Sequence, residues 1–156
     1  MTNNPIGVID SGVGGLSVLK HLLADMQRES FVYFADNSFC PYGQKEFEEI
    51  RQRLKKIVDF LINTYNVKTV VVACNTATAA SIDFLRESYS IPFVGMEPAI
   101  KPAALSTKSK VIGVLATEGT FNGRLFKQTY EKFTSGVKVN IQAGNGLVEL
   151  IEKGEI

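Results

Sequence analysis

Histidine occurs once in this chain, at His21, and cysteine twice, at Cys40 and Cys74. One imidazole cannot build a His-rich metal site, and no C-x-x-C pair is present. His21 falls within a helical run, where an ordinary surface or packing role accounts for it. No apolar run reaches membrane length and no signal-peptide pattern is seen, which with so few cysteines points to a reducing cytoplasm rather than a disulfide scaffold. Charge of one sign is also scarce. The 17 basic and 16 acidic residues leave a net charge of +1. Without a long like-sign block there is no electrostatic case for nucleic acid or an anionic membrane, so small ligands are favoured. The absence of Gly-Lys-Ser/Thr excludes a P-loop. Short-period repeats and low-complexity linkers are absent as well.

What remains is a 156-residue chain, 45% hydrophobic and 21% charged, with the composition of a globular protein. Short apolar strands alternate with amphipathic helices, the pattern of an α/β fold with a parallel sheet and right-handed crossovers. Strands are expected at Ile6–Asp10, Phe31–Ala35, Val67–Ala73, Pro92–Met96, Val111–Ala116 and Val137–Ala143. Between the second and third, Phe47, Ile50, Leu54, Ile57, Val58, Leu61, Ile62 and Tyr65 recur at steps of three and four, which marks one helical stripe facing the sheet. Glu97 to Pro102, with two prolines, reads as a domain crossover, dividing the chain into residues 1–98 and 99–156. The last residues follow a helix beginning near Gly146 and supply no closing strand, so the second α/β unit is expected to be incomplete.

Ligands of parallel α/β sheets bind beyond the carboxyl ends of strands, where strand order reverses. Three polar clusters fall at such ends. Asp10-Ser11 opens into Gly12-Val-Gly-Gly15, whose glycines let a backbone approach a ligand and expose N–H groups at a helix start. Asn37 to Gly43 contains the rigid turn Pro41-Tyr42-Gly43, which carries an aromatic hydroxyl. Cys74-Asn75-Thr76 ends the third strand. An apolar strand ordinarily buries a cysteine as a small hydrophobe. Here the neighbouring polar pair and a helix N-terminus favour an activated thiol, since unpaired N–H groups and the helix dipole stabilise a thiolate and lower its pKa. Gly12-x-Gly14 after a strand, with Asp36 ending the next, also suits a dinucleotide-binding βαβ unit, although Ser17 stands where a third glycine belongs.

Asp10-Ser-Gly-Val-Gly-Gly-Leu-Ser-Val18, Pro41-Tyr-Gly43, Ala73-Cys-Asn-Thr-Ala77, the segment from Gly95 to Pro102 and Gly113-Val-Leu-Ala-Thr-Glu-Gly-Thr120 occur in that order. Together they resemble the aspartate/glutamate racemase superfamily, and within it the cofactor-independent glutamate racemases, from Ile6 to about Gly154. The resemblance implies Rossmann-like, flavodoxin-like α/β layers in two pseudosymmetric units with the amino acid between them. It implies two cysteines on opposite faces of the substrate Cα, one removing a proton and the other delivering one. By motif position Cys74 would be the first base and Asp10 would assist it or receive the ammonium. Ser11, Pro41, Tyr42, Gly43, Asn75, Thr76, Thr117 and Thr120 would bind substrate, and Glu152 would match a carboxylate assisting the second half-site, with Glu149 nearby. No cofactor and no metal are expected. The implied partners are L- and D-glutamate, with a homodimer compatible with the family, and the implied role is a cytoplasmic supply of D-glutamate for peptidoglycan.

The second catalytic cysteine of this family lies in a Cys-Thr-His segment well beyond the first, and this sequence contains none. Cys40, on the same half as Cys74, reads as a packing residue. The expectation is therefore the amino-terminal part of a glutamate racemase, inactive alone. A non-catalytic glutamate-binding remnant and a racemase for another acidic amino acid are the alternatives.

Overall fold

The computed structural model describes residues 3–156. In chain order its elements are β1 (Ile6–Asp10), α1 (Gly15–Asp25), β2 (Phe31–Ala35), a short 3-10 turn (Tyr42–Gln44), α2 (Phe47–Tyr65), β3 (Thr69–Val72), α3 (Asn75–Ser88), β4 (Phe93–Gly95), α4 (Ile100–Ser106), β5 (Val111–Ala116), α5 (Glu118–Asn122), α6 (Arg124–Phe133), β6 (Lys138–Ala143) and α7 (Leu147–Lys153). Four strands form a parallel sheet in the order β2-β1-β3-β4, and β5 and β6 pair in parallel in a second sheet. The six expected strands all form.

Central strands buried on both faces should be apolar throughout, and β1 is buried at all five positions. Ile9, Val70 and Val72 meet Ile50, Leu54, Val58 and Leu61 of α2 on one face of the sheet. Val8 and Val71 meet Val18, Leu19 and Leu22 of α1 on the other. A separate core around Ile100, Ala104, Ile112 and Phe126 belongs to the second sheet and its helices.

Three expectations are adjusted. The third strand begins at Thr69 rather than Val67, because Asn66 closes α2 in the left-handed region (φ 51) and Lys68 donates to the Pro5 carbonyl outside the ladder. The fourth loses both ends: Pro92 has no N–H to donate, and the Met96 N–H goes to the Thr78 hydroxyl at 3.0 Å. Tyr65, placed on the core stripe by its spacing, is 44% exposed in the last turn of α2, where its ring meets Phe60 edge to face. Pro102 is part of α4, in the first turn, where a missing N–H does no harm. His21 is exposed on α1, as expected of a surface histidine.

Candidate active site

The chain leaves β1 for β2 on one side and later returns to β3 on the other, so strand order reverses between β1 and β3. A crevice is expected beyond their carboxyl ends. Asp10 ends β1, Cys74 follows β3, and both line a pocket of about 390 Å3. Ser11, Pro41, Tyr42, Gly43, Asn75, Thr76, Thr117, Thr120 and Glu152 line it too, so the structure gathers every residue singled out by motif position. Leu115, Ala116 and Thr117 bring the end of β5 into the same wall.

Cys74 caps the N-terminus of α3, and its sulfur accepts the Ala77 N–H at 3.4 Å. The helix-start geometry is thus as expected. The expected lowering of the thiol pKa is not: burial pushes the Cys74 thiol up and the Asp10 carboxylate pushes it further, outweighing the Ala77 N–H, Ser11 and the Thr76 N–H. Desolvation acts on the whole charge, whereas the helix end supplies only partial charges. The thiol also donates to Ser11 Oγ at 3.8 Å.

Asp10 is buried, and its Oδ2 accepts the Gly12 N–H at 3.0 Å. The next N–H, of Val13, donates to Glu152 Oε1 at 2.9 Å, joining α7 to the turn after β1. The glycines here make room for side chains. A Cβ on Gly12 would lie 2.1 Å from the Glu152 carboxylate, and one on Gly15 would lie 2.6 Å from Asp10 Cβ and 2.9 Å from the Tyr33 hydroxyl. In a dinucleotide site such glycines admit pyrophosphate; here two carboxylates and a phenol occupy the space. Asp36, the ribose partner that reading requires, is itself buried and committed. It accepts the Tyr42 hydroxyl at 2.7 Å and a bidentate Arg53 at 2.8 and 2.5 Å.

The same bond corrects the expectation for Tyr42. Its hydroxyl turns into the core toward Asp36, because a buried carboxylate needs donors, so Tyr42 contributes wall rather than a free hydroxyl. The Cys40–Pro41 peptide is cis. Gly43 lies against Thr117, where a Cβ would come within 2.8 Å of Thr117 Cβ. Thr76, Thr117 and Thr120 form a hydroxyl cluster, with oxygens 2.7 Å (76–117), 3.3 Å (76–120) and 3.1 Å (117–120) apart. Asn75 is exposed at the start of α3. Glu149, one turn before Glu152, accepts from Gln44 at 2.8 Å.

Cys40 is half-buried beside an adjoining cavity of about 340 Å3 that Glu152 shares. Burial, with Glu152 next in effect, pushes its thiol up to about 11, against a hydrogen bond from Ser11. Ser11, bonded to the Cys74 thiol, lies near Cys40 as well, but Cys40 lines the adjoining cavity and not the pocket that holds Cys74. Sequence reasoning missed Tyr33, Arg53 and the structural role of Asp36. An arginine 17 residues from a strand-end aspartate gives no local signal.

No lysine, arginine or histidine lines the pocket among the described residues. Nor is any group of three or more His, Cys, Asp or Glu among them arranged to hold a metal ion. No helix among them is long and apolar enough to cross a membrane.

A thiol at a helix start, two carboxylates and a hydroxyl cluster thus meet in one pocket where the strand order of an α/β sheet reverses. Residues 6–155 match the family model described as Asp/Glu/Hydantoin racemase, and the chain belongs to that family. It is 49% identical over 156 residues to glutamate racemase of Herpetosiphon aurantiacus, covering 100% of this chain and 61% of that protein. It is 50% identical over 153 residues to glutamate racemase of Pseudomonas paraeruginosa, covering 97% and 57%. Among solved structures, Escherichia coli glutamate racemase with L-glutamate and the activator UDP-MurNAc-ala superposes with a TM-score of 0.87 at 36% identity, over 94% of this chain and 56% of that one. The Francisella tularensis glutamate racemase complex with D-glutamate gives 0.80 at 32% identity, over 99% and 58%. The chain thus spans a little over half the length of the relatives it matches.

Proposed function

We propose that this chain carries one half of a cofactor-independent glutamate racemase site, with Cys74 as the base for one face of the substrate Cα. The observation that carries the reading is Cys74 at the start of α3, in one pocket with Asp10, Ser11 and the threonine cluster. Glutamate brings two carboxylates and an ammonium. With no cationic side chain on the wall, hydroxyls of Ser11, Thr76, Thr117 and Thr120, the Asn75 amide and backbone N–H groups by Gly43 hold the carboxylates, while Asp10 receives the ammonium. The Cys74 thiolate takes the Cα proton as S–H, and the electron pair left on carbon delocalises into the carboxylate. Inversion then needs a proton delivered to the far face. Cys40 does not supply it, because it lines the adjoining cavity and not the pocket that holds Cys74. Glu152, held by the Val13 N–H, faces the site from α7 and assists the opposite half. In this reading residues 1–98 form the first unit and residues 99–156 contribute to the second. The biological role is supply of D-glutamate for peptidoglycan in the cytoplasm, and a homodimer would be compatible with it.

The chain alone should bind L- or D-glutamate without net interconversion. NMR titration and chiral chromatography of the glutamate pool test this. Absence of binding by either enantiomer refutes the glutamate reading, and tighter binding of aspartate would move the substrate to another acidic amino acid. Robust racemisation by the 156 residues refutes the one-thiol reading. A second reading, binding without catalysis, draws support from the raised Cys74 thiol. Exchange of the substrate α-proton in D2O that disappears in Cys74→Ser would decide for a base.

A further inference from the structure

The Gly12–Val13 turn is held from three directions. Its two N–H groups go to carboxylates, Gly12 to Asp10 at 3.0 Å and Val13 to Glu152 at 2.9 Å. The carbonyl of Gly12 accepts the Tyr33 hydroxyl at 2.8 Å, from β2 across 21 residues. The ring of Tyr33 packs with Val8 and Leu19 under the sheet, so its hydroxyl has a fixed origin. Gly15 leaves the space that the hydroxyl and Asp10 share. The Gly12 carbonyl and the Val13 N–H belong to one planar peptide unit, so fixing one fixes where the other points. The Gly12 N–H lies one Cα back in the same turn, where Asp10 accepts it.

We propose that Tyr33 is a positioning residue of the site: by pinning the Gly12 carbonyl it aims the Val13 N–H of the same peptide unit at Glu152 and steadies the turn whose preceding N–H holds Asp10, and so keeps both carboxylates at the pocket that contains Cys74. Tyr33 acts through the turn and touches neither the thiol nor the substrate site directly. The inference rests on the reading that Asp10 and Glu152 serve that pocket. It deepens that reading by naming what sets their placement.

The test is iodoacetamide alkylation of Cys74 as a function of pH, followed by peptide mass spectrometry, in the 156-residue chain and in Tyr33→Phe, Asp10→Asn and the double variant. In contact with the Cys74 thiol are Ser11 Oγ and the N–H groups of Thr76 and Ala77 on its own helix; the titratable groups around it are Asp10 from β1, Cys40 and Tyr42 from the following loop and turn and, at longer range, Tyr33 from β2. Tyr33→Phe keeps the ring and removes one hydroxyl. With the turn released, Asp10 loses its anchor and its charge moves off the thiol, so the alkylation curve shifts to lower pH. Below the thiol pKa the rate at fixed pH should rise roughly threefold, half a unit of pKa. Asp10→Asn should raise it at least as much, and the double variant should match Asp10→Asn. Rates unchanged in Tyr33→Phe, or effects of the two substitutions that multiply, overturn the proposal, since a merely structural tyrosine would act independently of Asp10. Glutamate titration of the unsubstituted chain reports on the substrate reading separately. A failure there leaves the coupling between Tyr33 and Asp10 standing.

Discussion

The two sheets of this molecule are built to different standards. The β2-β1-β3-β4 sheet is covered on both faces, with Ile9, Val8, Val70 and Val72 fully buried. The β5-β6 pair buries one face only and leaves Val111 and Leu115 of the other exposed. Apolar burial stabilises the first sheet, while much of what ties the second side to it is polar. The ties include Arg124 to Asp83, Gln44 to Glu149, the threonine cluster and Glu152 on the Val13 N–H. Burial is strong and non-directional; hydrogen bonds are weaker and set geometry. A pocket between them inherits rigidity from one side and aim from the other.

The largest effect should come from the first sheet. Leu54 is fully buried on α2 against it. Leu54→Ala should lower the unfolding free energy by about 2–5 kcal/mol, measured by urea denaturation followed by circular dichroism. A loss below about 1 kcal/mol would mean that α2 is not what anchors the sheet, and the comparison would break at its stronger end.

A smaller loss should follow from the polar network beneath the site. Asp36 receives Tyr42 and Arg53 and holds the turn that carries Gly43. Asp36→Asn keeps the shape but removes the charge, leaving Arg53 about one-third exposed with a weaker partner. The expected cost is about 1–3 kcal/mol, with the loop from Asn37 to Gly43 exchanging its amides faster than β1. Uniform exchange across both would show that the network stabilises the whole sheet and does not specifically hold the turn.

Much of this was legible beforehand, for a physical reason. Strands such as Val111–Ala116 and the α2 stripe announce themselves through local periodicity, and strand-end clusters such as Cys74-Asn75-Thr76 mark where a parallel sheet must place ligands. Strand ends were misjudged where a single donor went elsewhere, as at Met96. The direction of the Cys74 shift was misjudged because burial is set by residues far apart in sequence, while the helix start is local. Tyr33 was invisible for the same reason. Its hydroxyl matters only because the fold brings Gly12 over it.

The pH response sharpens the comparison, since both thiols lie on the first-sheet side. Both are raised in the folded state, Cys40 from 9.0 to about 11. A raised thiol means the folded chain disfavours the thiolate, so its contribution to stability is fully present below about pH 9. It is lost as pH rises from there through the folded value. Melting temperature should hold steady through neutral pH and fall above pH 9, and Cys40→Ala should flatten part of that fall. A fall that begins near pH 7 would assign the response to other groups.

The smallest expected effect is at the bare face of the second sheet. Leu115 is 62% exposed on β5, with its side chain at the edge of the pocket. Truncating a side chain that is mostly in water removes little burial, so Leu115→Ala should change stability by no more than about 0.5 kcal/mol. Glutamate affinity, measured by NMR titration, is the sharper readout, because Leu115 lies on the wall that β5 contributes. If the second sheet supplies aim rather than stability, the variant should alter binding while leaving the melt nearly unchanged. A drop in stability comparable to that of Leu54→Ala would show that this face is packed more firmly than its exposure indicates, and the contrast between the two sheets would fail.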